Sequence, residues 1–263
     1  MLYLVATPIG NLKDFSFRAV ETLNKVEYIL CEDTRTSLTL LNHYEIKKPL
    51  YSYHKYNEKE KVDKIIEDLK AGKEIALISD AGMPGISDPG NILINECIKN
   101  DIEYTVIPGA SAFVNAFVMS GFEPPFTFIG FLPNKKIEIE NLLNPFKNIQ
   151  TNLIFYISPH SLEKDLINLY KILGDRDYVA VREISKKFEE KIFGNLKDGY
   201  LGLTKGEFVL IVKKPTEKVA SDLSIKEEYG LLVKSGIDKN EAIKRVAKSR
   251  NLKKNDVYKR FFN

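Results

Sequence analysis

Ser79-Asp80-Ala81-Gly82-Met83-Pro84-Gly85-Ile86-Ser87-Asp88-Pro89-Gly90 is the stretch on which the fold turns: twelve residues with three Gly, two Pro and two Asp, and almost nothing that belongs in a core. Before it, Glu74-Ile75-Ala76-Leu77-Ile78 reads as a buried strand, and after it Asn91 to Lys99 reads as a helix. Ordinary strand-to-helix loops run about 2 to 6 residues, so a longer and stiffer one asks for a reason. In an open α/β sheet the crevice beyond the carboxyl ends of the strands is where small molecules bind, and glycine lets backbone come close to them. The stretch is therefore read as a ligand loop rather than a plain turn.

Working outward from it, Leu2-Tyr3-Leu4-Val5-Ala6-Thr7 predicts a strand that ends in the turn Pro8-Ile9-Gly10-Asn11. A helix is expected over 16–24. The strand Tyr28-Ile29-Leu30-Cys31 follows, delivering Glu32-Asp33-Thr34-Arg35 at its carboxyl end. Helices are expected over 34–44 and 58–71, the second with Val62, Ile65, Ile66 and Leu69 on one face and Gly72 as its stop, with a strand over 50–53 between them. Beyond the central loop, Glu103 to Ile107 predicts a strand closed by Pro108-Gly109-Ala110-Ser111-Ala112, which opens a helix from Phe113 to Met119. Strands alternating with helices and ending in Gly/Pro turns predict a mostly parallel sheet with helices on both faces.

Ser120 to Pro125 reads as a short stiff linker, which gives an N-terminal α/β domain over 1–121. A second α/β domain is expected over 122–213, with strands at 126–132, 152–157, 178–181 and 208–212 and helices at 136–146 and 162–173. Arg182 to Glu190 stands between two of these strands as a dense charged stretch. Residues 214–263 are expected to form a basic helical extension of three short helices, broken at Gly236 and at Asn251 with Leu252.

The net charge of +3 conceals an asymmetry: residues 213–263 carry 14 Lys+Arg against 7 Asp+Glu, while residues 1–212 are net acidic. A basic tail suits a polyanion partner, because Lys and Arg displace counterions from phosphates, and equally suits a solvated helical face. No apolar run approaches the ~20 residues that span a bilayer, and the N-terminus lacks the basic start of a signal peptide, so a cytoplasmic location is expected. Cys31 and Cys97 belong to no CxxC or Cys/His cluster and are expected as buried reduced thiols. His43, His54 and His160 are scattered, so neither a zinc site nor a nucleophilic triad is expected, and no metal. GxxxxGK[ST], GxGxxG and GxSxG are all absent.

Six stretches taken together resemble one family: Leu2 to Leu12, Cys31-Glu32-Asp33-Thr34-Arg35, Ser79 to Gly90, Pro108 to Ala112, Gly130-Phe131-Leu132-Pro133, and Arg182-Glu183-Ile184-Ser185-Lys186-Lys187-Phe188-Glu189-Glu190. That family is ribosomal RNA small subunit methyltransferase I, a branch of the tetrapyrrole-methylase fold. The resemblance implies two α/β domains with S-adenosylmethionine in the cleft between them, and 2′-O-methylation of a cytidine ribose in the decoding region of small-subunit ribosomal RNA. It also implies a homodimer and a small C-terminal helical extension. By position it makes Pro8, Gly10, Asp80, Met83, Gly85, Ser111 and Ala112 the cofactor turns, with Tyr156 and Ile157 of the second domain closing over them. The family's usual Glu and Arg around the Ser-Pro-His turn are Ile157 and Ser161 here.

The chemistry implied needs an oxygen placed in line with an electrophilic methyl at roughly 3 to 3.5 Å, with water kept away. A ribose hydroxyl is a poor nucleophile while protonated, so a base or polarising cation should help. Glu32, Asp33, Asp88 and Glu183 are the candidate carboxylates and Arg35 a candidate cation beside them. Arg182, Lys186, Lys187, Lys253 and Lys254 are the candidate RNA contacts. At each of these the alternative is a structural ion pair. Tyr258, Phe261 and Phe262 either stack on bases or, the reading put first, form the core of the tail. Rival functions are methylation of a tetrapyrrole or protein side chain on the same fold, and a non-catalytic ribosomal RNA-binding protein.

Overall fold

The computed structural model describes residues 1–215, 224–234, 236–250 and 252–262, and of residues 260–262 the backbone alone. Its first sheet holds β1 (Leu2–Val5), β2 (Tyr28–Cys31), β3 (Leu50–Ser52), β4 (Ile75–Ile78) and β5 (Tyr104–Ile107) in the order β3-β2-β4-β1-β5. Every pairing in it is parallel. β4 is buried along its whole length because it runs between β1 and β2 and is covered on both faces, which is why it reads as an unbroken apolar run. Helices α1 (Phe17–Lys25) and α2 (Thr34–His43) cover one face, with Leu23, Leu40 and Leu41 against Val5, Ile29 and Ile78. On the other face α3 (Glu58–Lys70) and α4 (Asn91–Lys99) set Ile65, Ile66, Leu69 and Leu93 against Leu2, Leu4 and Leu77. At the sheet edge, β5 leaves Tyr104 and Val106 exposed. With all strands parallel, the turns after β1, β2, β4 and β5 gather along one edge.

The chain next forms α5 (Ala112–Ser120) and then a second sheet: β6 (Phe126–Phe131), β7 (Asn152–Ile157), β8 (Asp177–Arg182), β9 (Glu190–Asn195) and β10 (Phe208–Val212), ordered β6-β7-β10-β8-β9. Only β6 and β7 pair in parallel. Helices α6 (Lys136–Leu143) and α7 (Leu162–Leu173) cover one face through Ile139, Leu143, Leu166 and Leu169. The other face, Ile154, Val179, Val181, Val209 and Ile211, is covered by Ala116 and Phe117 of α5. The unit expected over 1–121 thus gives its last helix to the second sheet.

Two local features depart from the sequence expectation. β9 occupies the end of the charged stretch and the residues after it; as an edge strand with only Ile192 and Phe193 as large apolar residues, it lacks the buried face that makes a strand readable. β6 carries a bulge: Phe128 pairs with Ile154 and Gly130 with Phe155, which leaves Ile129 as the extra residue, and Gly130 sits at φ +81°.

The C-terminal unit packs α8 (Ile225–Lys234), α9 (Lys239–Ser249) and α10 (Lys254–Phe262) around Ile243, Val246, Ala247 and Val257. Asp238 caps α9 by accepting the N–H groups of Asn240 and Glu241. Asn251 and the side chains of Phe261 and Phe262 lie outside the described residues. Among the described residues no helix is long and apolar enough to cross a membrane.

Candidate active site

The ligand loop between β4 and α4 is tied down at both ends. Thr7 and Gly82 exchange backbone hydrogen bonds, 2.8 and 3.1 Å, which join the first turn to the loop, and Ser79 Oγ donates to the Gly82 carbonyl at 3.0 Å. At the far end the Gly90 N–H donates to Oε1 of the buried Glu58 at 3.0 Å. A carboxylate from α3 therefore holds the last residue of the loop, a role that a helix residue 32 positions away in sequence does not advertise.

Between these turns and the second sheet lies a cavity of about 410 Å³. Glu32, Asp80, Met83, Asp88, Ser111 and Ala112 line it from one side; Phe131, Tyr156, Ile157, Ser158, Glu207 and Val209 line it from the other. The structure thus brings together six of the nine residues expected around a cofactor: Asp80, Met83, Ser111, Ala112, Tyr156 and Ile157. The other three, Pro8, Gly10 and Gly85, stand in the turns beside it and not in its lining. A Cβ on Gly10 would lie 2.5 Å from Lys186 Cγ and 2.8 Å from the Ile184 carbonyl, so glycine is what lets the first turn seat against the second unit, while its neighbour Ile9 reaches the cavity. Gly85, at φ +80°, turns in toward Ile94 and Asn91. Ser161 donates to the Ser158 carbonyl at 3.2 Å, holding the turn whose Ser158 and Pro159 reach the cavity.

The lining holds four carboxylates and no Lys or Arg. Burial, reinforced by Glu32 and Asp80, pushes the Asp88 carboxyl up to about 6. Burial and Asp80 raise Glu32, with His54 opposing; burial raises Asp80, against the Asp33 N–H that it accepts at 3.3 Å. Crowded carboxylates beside apolar wall favour a ligand with a cationic centre on an apolar body and repel phosphate. Among the described residues no group of three or more His, Cys, Asp or Glu is arranged to hold a metal ion.

Asp33, Arg35 and Glu183, expected near the reacting atoms, stand outside this lining. Asp33 caps α2 through the Arg35 N–H and pairs with the Arg35 guanidinium at 2.9 Å; these contacts pull its carboxyl down to about 2. Glu183 accepts the Glu207 N–H at 2.9 Å and Lys186 Nζ at 3.1 Å; burial opposes, but these partners leave its carboxyl below the ordinary value. A carboxylate held ionised in this way is a poor proton acceptor.

Of the cations expected to face RNA, Arg182 and Lys186 are engaged within the protein. Arg182 pairs with Glu190 at 3.0 Å and donates to the Lys205 carbonyl, and Lys186 bridges Glu183 and Glu207 at 3.1 and 3.0 Å. Their segment is a clasp: Ser185 donates to Asp14 of the first unit, and both Glu183 and Ser185 adopt left-handed backbone, at φ +52° and +65°. Lys187 lies over the Phe188 ring at 5.6 Å, and Lys253 and Lys254 are exposed at the start of α10.

The model of the Tetrapyrrole (Corrin/Porphyrin) Methylases family matches residues 1–198. A ribosomal RNA small subunit methyltransferase I of Mycoplasmopsis pulmonis is 49% identical over 214 residues, covering 80% of this chain and 96% of that protein. Its namesake from Halalkalibacterium halodurans is 43% identical over 268 residues, covering 98% of this chain and 93% of that one. A solved uroporphyrin-III C-methyl transferase of Thermus thermophilus, complexed with S-adenyl homocysteine, shares the fold at a TM-score of 0.58 and 15% identity, covering 80% of this chain and 96% of the other. By sequence, the chain belongs to the ribosomal RNA small subunit methyltransferase I family of the tetrapyrrole methylases.

Proposed function

We propose that this protein uses S-adenosylmethionine to methylate the ribose 2′-oxygen of a cytidine in the decoding region of small-subunit ribosomal RNA. The observation that carries the reading is the cavity itself: Glu32, Asp80 and Asp88 with no lysine or arginine, facing an apolar wall, in a chain of this family. When bound, S-adenosylmethionine supplies an electrophilic methyl on a sulfonium, a cation on an apolar body. Glu32 and Asp80 face that charge, Met83, Ile157 and Val209 hold apolar surface, and the backbone N–H of Ala112, at the head of α5, donates to an anionic or carbonyl oxygen. Asp88 is the proton acceptor: near pH 7 it is largely ionised yet basic enough to take the hydroxyl proton when the methyl would pass from sulfur to oxygen, its carbon–sulfur bond breaking to leave a neutral thioether.

The basic excess of residues 213–263 supports docking on ribosomal RNA, with Lys253, Lys254 and Lys187 turned outward. Deleting residues 216–263 is expected to spare cofactor binding, weaken RNA binding and flatten its salt dependence; an unchanged slope moves the footprint elsewhere. A homodimer is supported by α5, apolar nearly throughout yet exposing Val118 at 73%, and by the open edge of β5; sedimentation tests it. Action on ribosomes fits a cytoplasmic location. Methylation of tetrapyrroles or proteins, the other chemistry of the fold, gives no use to the basic unit.

The test is transfer of radiolabelled methyl from S-adenosylmethionine to small ribosomal subunits lacking the modification, with the product nucleoside identified by mass spectrometry. Label in 2′-O-methylcytidine is expected. Saturable cofactor binding without transfer reopens the substrate, and no cofactor binding leaves a non-catalytic RNA-binding protein.

A further inference from the structure

Phe131 belongs to Gly130-Phe131-Leu132-Pro133, a stretch to which the chemistry above gives no part. In a regular strand, alternation would place Phe126, Phe128 and Gly130 on one face of β6 and Ile129 with Phe131 on the other. Ile129 does pack into the core under α6 and α7, and Phe128 into the cluster under α5. The bulge changes what comes next. With Ile129 as the extra residue, Phe131 falls into register with Tyr156, on the cavity side, and Leu132 returns to the α6 and α7 core. Gly130 makes this possible by its left-handed φ of +81°. One inserted residue thus takes a phenylalanine out of a hydrophobic core and sets it on the rim of the site.

The ring pays for this in exposure: it is 60% solvent-accessible, while an aromatic ladder fixes it from behind. Phe131 leans on Tyr156 at 5.4 Å between centroids, Tyr156 on Phe128 at 5.0 Å, and Phe128 stacks on Phe113 at 4.3 Å. Across the opening, the Ser87 hydroxyl stands 4.0 Å from where a Cβ on Gly130 would lie, so the rim faces the segment that carries Asp88. Resting on the reading of the substrate given above, we propose that Phe131 is the platform on which the base of the target nucleotide stacks. A ribose hydroxyl inside a helical stack cannot reach a cavity of this kind; the nucleotide must swing out and lose its neighbours, and stacking on a fixed exposed ring offsets that loss. The rest of the lining, Asp80, Met83, Ile157 and Val209 among it, is left for the cofactor.

The experiment compares wild type with Phe131→Leu, Phe131→Ala and Phe131→Trp, reading S-adenosylhomocysteine affinity by calorimetry and methyl transfer to unmodified small subunits by kcat/KM. Leu keeps apolar bulk without a π-face, so it and Ala should both lose roughly 10- to 100-fold in kcat/KM with cofactor affinity within about twofold, while Trp should retain most of the activity. Loss of cofactor affinity in parallel with activity would assign the ring to the cofactor's adenine and overturn the proposal. So would Leu and Ala variants as active as wild type. A wild type that binds the cofactor yet transfers nothing to small-subunit RNA fails at the earlier step, the substrate class, and removes the nucleobase with it.

Discussion

The wall that the first unit gives the cavity is acidic and made of loop; the wall that the second gives is apolar and aromatic and made largely of strand. The difference follows from the two sheets. A parallel sheet collects its strand ends on one edge, so Glu32, Asp80 and Asp88 arrive from turns after β2 and β4, with backbone free to adapt around a polar ligand. The second sheet, mostly antiparallel, brings Tyr156, Ile157 and Val209 on adjacent strands whose spacing is fixed by their ladder. Charge is set by loops and shape by strands, and the two meet only in the cleft.

If the acidic wall acts on the cofactor and the proton while Phe131, at the rim of the aromatic wall, acts on the substrate, changes to the acidic wall should separate from those at Phe131. The largest effect is expected at Asp88. Asp88→Asn should lower kcat by about 100-fold or more, as loss of a general base does, with little change in RNA affinity. The wild-type rate should fall as pH drops through about 6, where Asp88 becomes protonated, and the variant should lose that limb. The same group has a stability signature. A carboxyl raised above its unfolded value binds its proton in the folded state, so stability falls as pH rises from about 4 toward 6, and Asp88→Asn should melt higher than wild type at pH 7 with the gain shrinking at pH 4.

Next is Asp80→Ala, expected to weaken cofactor binding by on the order of 100-fold in calorimetry, the value of a charge-assisted contact. An Asp80 variant that binds normally would break the comparison, because the acidic wall would then have no part in holding a cation. The smallest effect is at Glu58. Glu58→Ala strands the Gly90 N–H, at a cost of about 1 to 3 kcal/mol, and should lower Tm by a few degrees and raise the cofactor Kd several-fold. Glu58→Gln keeps the acceptor and should restore both. Equal damage from the two variants would mean that the charge, not the tether, matters.

The ligand loop was legible because glycine, proline and aspartate crowd one strand end, a pattern no core tolerates. The charged stretches were legible as motifs but not as geometry. Nothing in Glu-Asp-Thr-Arg says that Glu32 faces inward while Asp33 turns to Arg35, since neighbouring residues in a turn share composition and not direction. The place of Phe131 is not legible in the sequence, because its direction depends on a one-residue register shift that alternation alone reads the wrong way round. Glu58 sits on a helix rich in exposed acids, and only the folded chain sets it apart. β9 is not legible in the sequence because an edge strand leaves most of its residues in water.

The placement of α5 on the second sheet has a consequence for how the chain is made. β1 and β5 are complete by residue 107, so the first sheet can close early, but the strand that α5 packs against most, β10, ends at residue 212. The most apolar helix among the described residues must therefore wait while roughly 90 further residues are synthesised, about 5 to 20 seconds at ordinary translation rates. During that interval Phe113, Ala116 and Phe117 have at most β7 and β8, and not β10, to cover them. A chain ended at residue 207 should bind a hydrophobic dye and associate with a chaperone, and one ended at residue 215 should do neither; equal behaviour of the two would show that α5 finds cover before β10 exists.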